Sequence, residues 1–244
     1  MKKINKGHTN KIKYIDGDTF VVSKTKNGFN HRIDYKILNE FDFAPKVLED
    51  TDEKIVFDKK DDVWLTKPNK DDLRALGLMI RKIHMSELKF PKNNLREIIK
   101  ARLKIIHDKK MHVPVIEDNW AKMNKLLGRM GRLNPCHNDL WMENILKDKD
   151  GKLWIVDWEY AAMGDKHFDL AYYIESQRLN EEEEMIFLDS YNSQDDYQAW
   201  IPEWMNGYKM FVHWYTLIWA YSQKTMPFDV SWMEKRFNEL KKQR

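Results

Sequence analysis

Hydrophobic and polar positions follow two different rhythms on either side of Pro68. Upstream, short β-prone runs alternate with turns: 11–15, the Asp16-Gly17 turn and 19–24 predict a hairpin, and further strands are expected at 46–48, 54–57 and 63–65. A helix is predicted over 32–39. Downstream the apolar spacing becomes helical. Leu73, Leu76, Ile80 and Ile83 fall on one face, Asn69 stands where an N-cap would, and Asp72 three residues on suits a capping box. Helices are expected over 95–108, 117–130, 165–178, 180–191, 201–223 and 230–242, and the acidic run at 181–184 suits a helix N-terminus. The class this predicts is α+β, with a small β-rich block at 1–66 and a larger, mainly helical block at 67–244.

Residues 134–174, NPCHNDLWMENILKDKDGKLWIVDWEYAAMGDKHFDLAYYI, interrupt the helical rhythm. A loop carries the carboxylate of Asp139, and five residues later the carboxamide of Asn144 leads into an apolar pair. A turn at 148–152, with Gly151 placed for positive φ, connects to a hydrophobic strand at 153–156 that ends on Asp157. Transfer of a γ-phosphoryl group to an alcohol needs a carboxylate to accept the alcohol proton and oxygen ligands to hold Mg²⁺ against the phosphates. Asp139 fits the first task; Asn144 and Asp157 fit the second. His137, two residues before the base, suits bracing the loop better than reacting. A hairpin that merely carries polar residues at its ends has no need for this order of His, Asp, Asn, strand and Asp.

The runs HNDL at 137–140, EN at 143–144, VDWEYA at 156–161 and FDLAYY at 168–173 resemble the choline/ethanolamine kinase family, within the wider aminoglycoside-phosphotransferase-like kinases. Protein kinases place Phe-Gly after the second metal-binding Asp, where this chain has Trp158-Glu159-Tyr160-Ala161. The resemblance implies a two-lobed protein-kinase-like fold, with 1–66 as a nucleotide-binding lobe and 67–244 as a catalytic and acceptor-binding lobe. It also implies an enzyme that uses ATP and Mg²⁺ to phosphorylate choline or a related amino alcohol. The turn Gly7-His8-Thr9-Asn10 resembles the family's phosphate-covering turn, in which a glycine lets backbone N–H groups approach the phosphates. Lys24 is the candidate cation for the α/β-phosphates. Where the family carries Arg-x-x-Glu this chain reads Arg32-Ile33-Asp34-Tyr35, so its acidic partner is expected at Asp34, at Glu40, or is missing. Backbone of the segment that contains Trp64 and Leu65 is the expected adenine contact.

Composition narrows the setting. A net charge of +3 over 244 residues is near balance, so nucleic-acid binding is not called for and the lysine clusters read as solvated surface. The single cysteine, Cys136, allows no internal disulfide, and without a metal-ligand pattern around it reads as a packing residue. No apolar run approaches the ~18 residues of a membrane span and the N-terminus is polar, which together predict a cytoplasmic protein with no membrane insertion. Oligomeric state leaves no trace in the sequence.

Aromatic content bears on the acceptor. Ten Trp and ten Tyr crowd toward the C-terminus, and ring faces attract quaternary ammonium ions, which cannot donate hydrogen bonds. The run FVHWYTLIWAYSQ at 211–223 resembles the family's choline-pocket helix, which closes with Trp-x-x-x-Gln; Trp219 and Gln223 match it. Thr216 replaces the family's other Trp, with Tyr215 beside it. The competing reading is a core stripe, since Phe211, Tyr215, Ile218 and Ser222 share one helical face. The resemblance implies that Glu159 and Asp169 add negative charge near a cationic substrate, and Asp169 equally suits capping a helix or bracing the catalytic loop; His84 reads as structural. The alternatives are an ethanolamine, aminoglycoside or thiamine phosphotransferase, or, in another class, a non-catalytic nucleotide-binding protein of kinase fold.

Overall fold

The computed structural model describes residues 11–15, 19–58, 62–64, 67–192 and 200–243. Strands β1 (Lys11–Ile15), β2 (Thr19–Ser23), β3 (Val47–Asp50) and β4 (Lys54–Asp58) form an antiparallel sheet in the order β1-β2-β4-β3. Alternation along β4 buries Ile55 and Phe57 on one face, where Phe57 stacks on Phe20 at 4.9 Å between ring centroids. The helix expected over 32–39 is a short 3₁₀ turn, Tyr35–Glu40. Two features shorten it. Asp34 is extended, with ψ of 108°, so no helix runs through it, and the buried pair Tyr35 and Leu38 has the three-residue period of a 3₁₀ turn.

Strand β5 (Asp62–Trp64) leaves that sheet and pairs with the hairpin predicted around Gly151. That hairpin is β7 (Ile145–Asp148) and β8 (Leu153–Ile155), with Trp64 opposite Leu146 and Ile145 opposite Ile155. Gly151 takes φ of 86°, and the Asp148 side chain accepts the backbone N–H of Asp150 and Lys152 and the indole N–H of Trp154. A further pair escaped the sequence reading: β6 (Asn134–Cys136) lies antiparallel to β9 (Ala162–Gly164), three residues each.

The helices are α1 (Lys70–His84), α2 (Leu95–Asp108), α3 (Pro114–Glu117), α4 (Trp120–Arg129), α5 (Lys166–Gln177), α6 (Glu181–Asn192), α7 (Pro202–Ser222) and α8 (Ser231–Lys242). Asn69 and Asp72 form the expected capping box, and Asp72 also pairs with Lys147 of β7 at 2.7 Å, fastening α1 to the hairpin. The helix expected over 117–130 is broken. Pro114 starts a turn early, and Asn119 donates its side-chain N–H to the Val115 carbonyl, so the chain re-enters helix only at Trp120. Against α6, α1 packs so closely that a Cβ on Gly77 would lie 2.6 Å from the Phe187 carbonyl oxygen. Glu175 of α5 joins three helices by accepting from His213 of α7 at 2.8 Å and from Arg236 of α8 at 3.0 and 3.1 Å. Among the described residues no helix is long and apolar enough to cross a membrane.

Candidate active site

The β6–β9 pair clips together the two ends of a stretch that carries both the Asp139 loop and Asp157. Within the clip Asn138 adopts φ of 63° and Asp157 φ of 61°, left-handed conformations that need outside support. Asp169, in the first turn of α5, supplies it for the loop: its two oxygens accept the backbone N–H groups of His137 and Asn138, each at 2.7 Å. His84 contacts the same carboxylate through Nε2 at 3.1 Å and the Tyr191 hydroxyl through Nδ1 at 2.9 Å. Both His84 and Asp169 are sealed from solvent, a bracing position rather than a reacting one. His137 accepts the Asp139 N–H at Nδ1 and donates from Nε2 to the Val156 carbonyl at 3.0 Å. Burial lowers its pKa to about 4, which fixes the neutral ring these contacts require.

Asp139 faces Asn144 across the loop. The Asn144 carboxamide donates to the Asp139 carbonyl at 2.8 Å and reaches the carboxylate Oδ2 at 3.5 Å, so its own oxygen points away from the loop. Backbone pairing brings Asp157 alongside, since the Val156 N–H donates to the Asn144 carbonyl at 3.0 Å. A carboxamide oxygen and a carboxylate at adjoining positions are hard oxygen donors of the kind Mg²⁺ prefers, so this donor set fits that ion. Burial pushes the Asp139 carboxyl up to about 6, opposed by a hydrogen bond from Tyr172, the charge of Arg102 and the Asn144 amide. A half-buried carboxylate so placed suits general-base chemistry near neutral pH.

On the sheet side Lys24, just past β2, pairs with Asp50 of β3 at 2.5 Å and lies over the Tyr35 ring at 5.1 Å. Its acidic partner is therefore neither Asp34 nor Glu40. Asp34 caps the 3₁₀ turn by accepting the Lys36 N–H, and Glu40 is exposed at the turn's end. The second Asp50 oxygen accepts the Tyr35 N–H at 3.1 Å. No acidic pattern in the sequence singled out Asp50; the cross-strand register that carries it beside Lys24 is a long-range property. Gly7, Thr9, Asn10 and Leu65 lie outside the described residues, and Trp64 contributes backbone to β5 beside the catalytic hairpin.

Glu159 is buried and engaged by Asn30 at 2.6 Å and by His31 Nε2 at 3.2 Å. Burial, then the charges of Lys24 and Lys26, lower His31 to about 4, so this contact is a hydrogen bond from a neutral ring rather than an ion pair. The contact joins the segment before the 3₁₀ turn to the stretch after Asp157. Among the acceptor candidates, Trp219 lies 6.0 Å from the Phe228 ring, Phe228 stacks on Trp141 at 6.1 Å, and Trp141 meets Tyr172 edge-on at 6.4 Å. Since Tyr172 hydrogen-bonds Asp139, an aromatic wall runs from α7 to the Asp139 carboxylate. Tyr215 lies deeper, perpendicular to Phe168 at 5.8 Å, and Gln223 folds back to donate to the Trp219 carbonyl at 2.9 Å. Trp141, Tyr172, Phe228 and Arg102 were not singled out from sequence. Trp141 and Tyr172 sat within the segment 134–174, whereas Phe228 and Arg102 carry no local signal.

A family model described as choline/ethanolamine kinase matches residues 30–227. A LicA homolog of Mycoplasma capricolum subsp. capricolum is 35% identical over 236 residues, covering 96% of this chain and 94% of its own length. The crystal structure of choline kinase LicA from Streptococcus pneumoniae superposes with a TM-score of 0.75 at 19% identity, over 98% of this chain and 90% of that one. An ethanolamine kinase structure from Plasmodium vivax gives 0.74 at 15% identity, over 98% and 80%. The two structural likenesses establish a kinase-like fold of α+β class.

Proposed function

The chain belongs to the choline/ethanolamine kinase family and is thus a small-molecule kinase with an alcohol acceptor, and from that premise we propose that it phosphorylates the hydroxyl of choline with Mg-ATP. The observation that carries the choice of acceptor is the wall Trp219, Phe228, Trp141 and Tyr172, which ends at Asp139. A quaternary ammonium resting on that wall would extend its hydroxyl toward the carboxylate. Polycationic sugars call for acids lining an open cleft instead, and Glu159, the acid nearest in sequence to Asp157, is turned toward Asn30 and His31.

In this reading Asp139 orients the acceptor hydroxyl and takes its proton as the oxygen attacks phosphorus. Asn144 and Asp157 would hold Mg²⁺, which supplies charge neutralisation at the phosphate oxygens. Lys24, held by Asp50, reaches the nucleotide phosphates, with Gly7, Thr9 and Asn10 covering them and the backbone of Trp64 and Leu65 meeting adenine. Asp169, His84 and His137 keep the loop in its left-handed turn, so the base is in place before substrate arrives, and positioning supplies much of the acceleration.

An ADP-release assay against choline, ethanolamine, thiamine and kanamycin, with Asp139→Asn as the blank, tests this proposal. Choline should give the highest kcat/KM and the blank none. Preference for kanamycin or thiamine would overturn the acceptor, and acceptor-independent ADP binding without turnover would overturn the catalytic role.

A further inference from the structure

Arg102 of α2 sits with its guanidinium carbon over the Tyr215 ring, 5.2 Å from the centroid. Its Nη1 is shut off from solvent and has no hydrogen-bond partner among the described residues. The ring beneath is 6% exposed and packed against Phe168. Arg102 also hydrogen-bonds the Tyr215 side chain, and its charge acts on Asp139. A guanidinium on a tyrosine face, with one nitrogen sealed from solvent and its charge acting on Asp139, stands where the ring quadrupole would otherwise attract a ligand cation.

We infer that Arg102 is the resident cation of the acceptor pocket and a specificity-determining residue. By holding the Tyr215 face it confines the acceptor's ammonium group to the wall of Trp141, Phe228 and Trp219. The inference rests on the acceptor pocket proposed beside Asp139. It divides the aromatic residues into two sets, one faced by the protein's own cation and one assigned to substrate. The pocket then accepts a single cationic centre at a fixed distance from the base and repels a second.

Titration calorimetry on the full chain tests this with two probes, tetramethylammonium and 3,3-dimethylbutanol, the latter a neutral isostere of choline. Arg102→Ala should bind tetramethylammonium roughly five- to thirty-fold more tightly than the wild type, the range expected for one desolvated cation–π contact. Affinity for 3,3-dimethylbutanol should stay within about two-fold, because an apolar ligand gains no cation–π contact. Adding Tyr215→Leu should abolish the gain. Equal tightening of both probes means that only space was made, and a gain that survives Tyr215→Leu means that only repulsion was relieved; either overturns the inference, as does no gain. Arg102→Gln, which removes the charge but keeps length, must move in the same direction, and ADP affinity checks the fold of each variant. Choline turnover by the wild type is measured alongside. A gain in tetramethylammonium binding without choline turnover would remove choline as acceptor and leave the role of Arg102 standing; turnover without the gain would do the reverse.

Discussion

Asp169 holds Asn138 in the left-handed conformation that turns the chain into Asp139, its Oδ1 accepting the Asn138 N–H at 2.7 Å on a residue with φ of 63°. Asp169→Asn would set an N–H₂ group against one of the two loop N–H donors. We expect turnover to fall about 100-fold and stability by about 2–4 kcal/mol, the scale of a broken buried charged network. Urea denaturation and the ADP-release assay measure both, and near wild-type turnover would remove Asp169 from the positioning of the base.

Asp139→Asn should trade activity for stability. Turnover should fall by about 10²–10⁴-fold through loss of the base. Burial raises the folded pKa from 3.8 to about 6, so folding penalises the ionised form. That penalty is absent below pH 3.8, develops between 3.8 and 6, and is complete above. In chelator and without nucleotide, the variant should therefore melt higher than wild type at pH 7.5, with the difference vanishing near pH 4. A lower melting temperature at pH 7.5 would refute this.

Lys24 and Asp50 should behave as one unit toward nucleotide. Lys24→Met and Asp50→Asn should each raise the KM for ATP about 10-fold, the range for losing one charge-assisted phosphate contact. Asp34→Ala and Glu40→Ala should leave it within about two-fold, because Asp34 caps the 3₁₀ turn, Glu40 is exposed, and Lys24 pairs with Asp50 instead. A large effect at Asp34 and none at Asp50 would restore the assignment expected from the sequence.

Glu175 offers a pH test of the helical region. Burial raises its pKa, but hydrogen bonds from His213 and Arg236 outweigh burial and bring it from 4.5 down to about 2. The stabilisation is present above the unfolded pKa of 4.5 and is lost as pH falls through 2. Glu175→Gln should cost about 2–3 kcal/mol at pH 7, reduced from a fully buried pair because Arg236 is partly exposed. The gap between variant and wild type should narrow between pH 4.5 and 2 in acid unfolding.

The helices and the β7–β8 hairpin were legible because their signals are local: the periodicity of Leu73, Leu76, Ile80 and Ile83, the Asn69 cap, and Gly151 at its turn. The helix over 32–39 misled because Asp34 stays extended and caps a turn that starts only at Tyr35, and the single helix over 117–130 because Asn119 breaks it through a side-chain bond. Three-residue strands such as β6 and β9 are too short to show alternation. At the site, Asp139, Asn144 and Asp157 follow from one contiguous segment. Asp50, Phe228 and Arg102 come from distant stretches joined only by the fold, and motif spacing cannot reach them.

Gly77 carries no functional group, yet its missing methyl reaches the catalytic loop. With the Phe187 carbonyl 2.6 Å from where a Cβ would stand, any side chain there must wedge α1 from α6. Tyr191, on α6, holds one nitrogen of His84, at the end of α1, and the other nitrogen of His84 touches Asp169. Prising the two helices apart thus tugs at a relay of contacts that ends on the backbone beside Asp139. The clearance between two helices is in this sense a setting of the active site, and an alanine scan confined to polar residues would never find it.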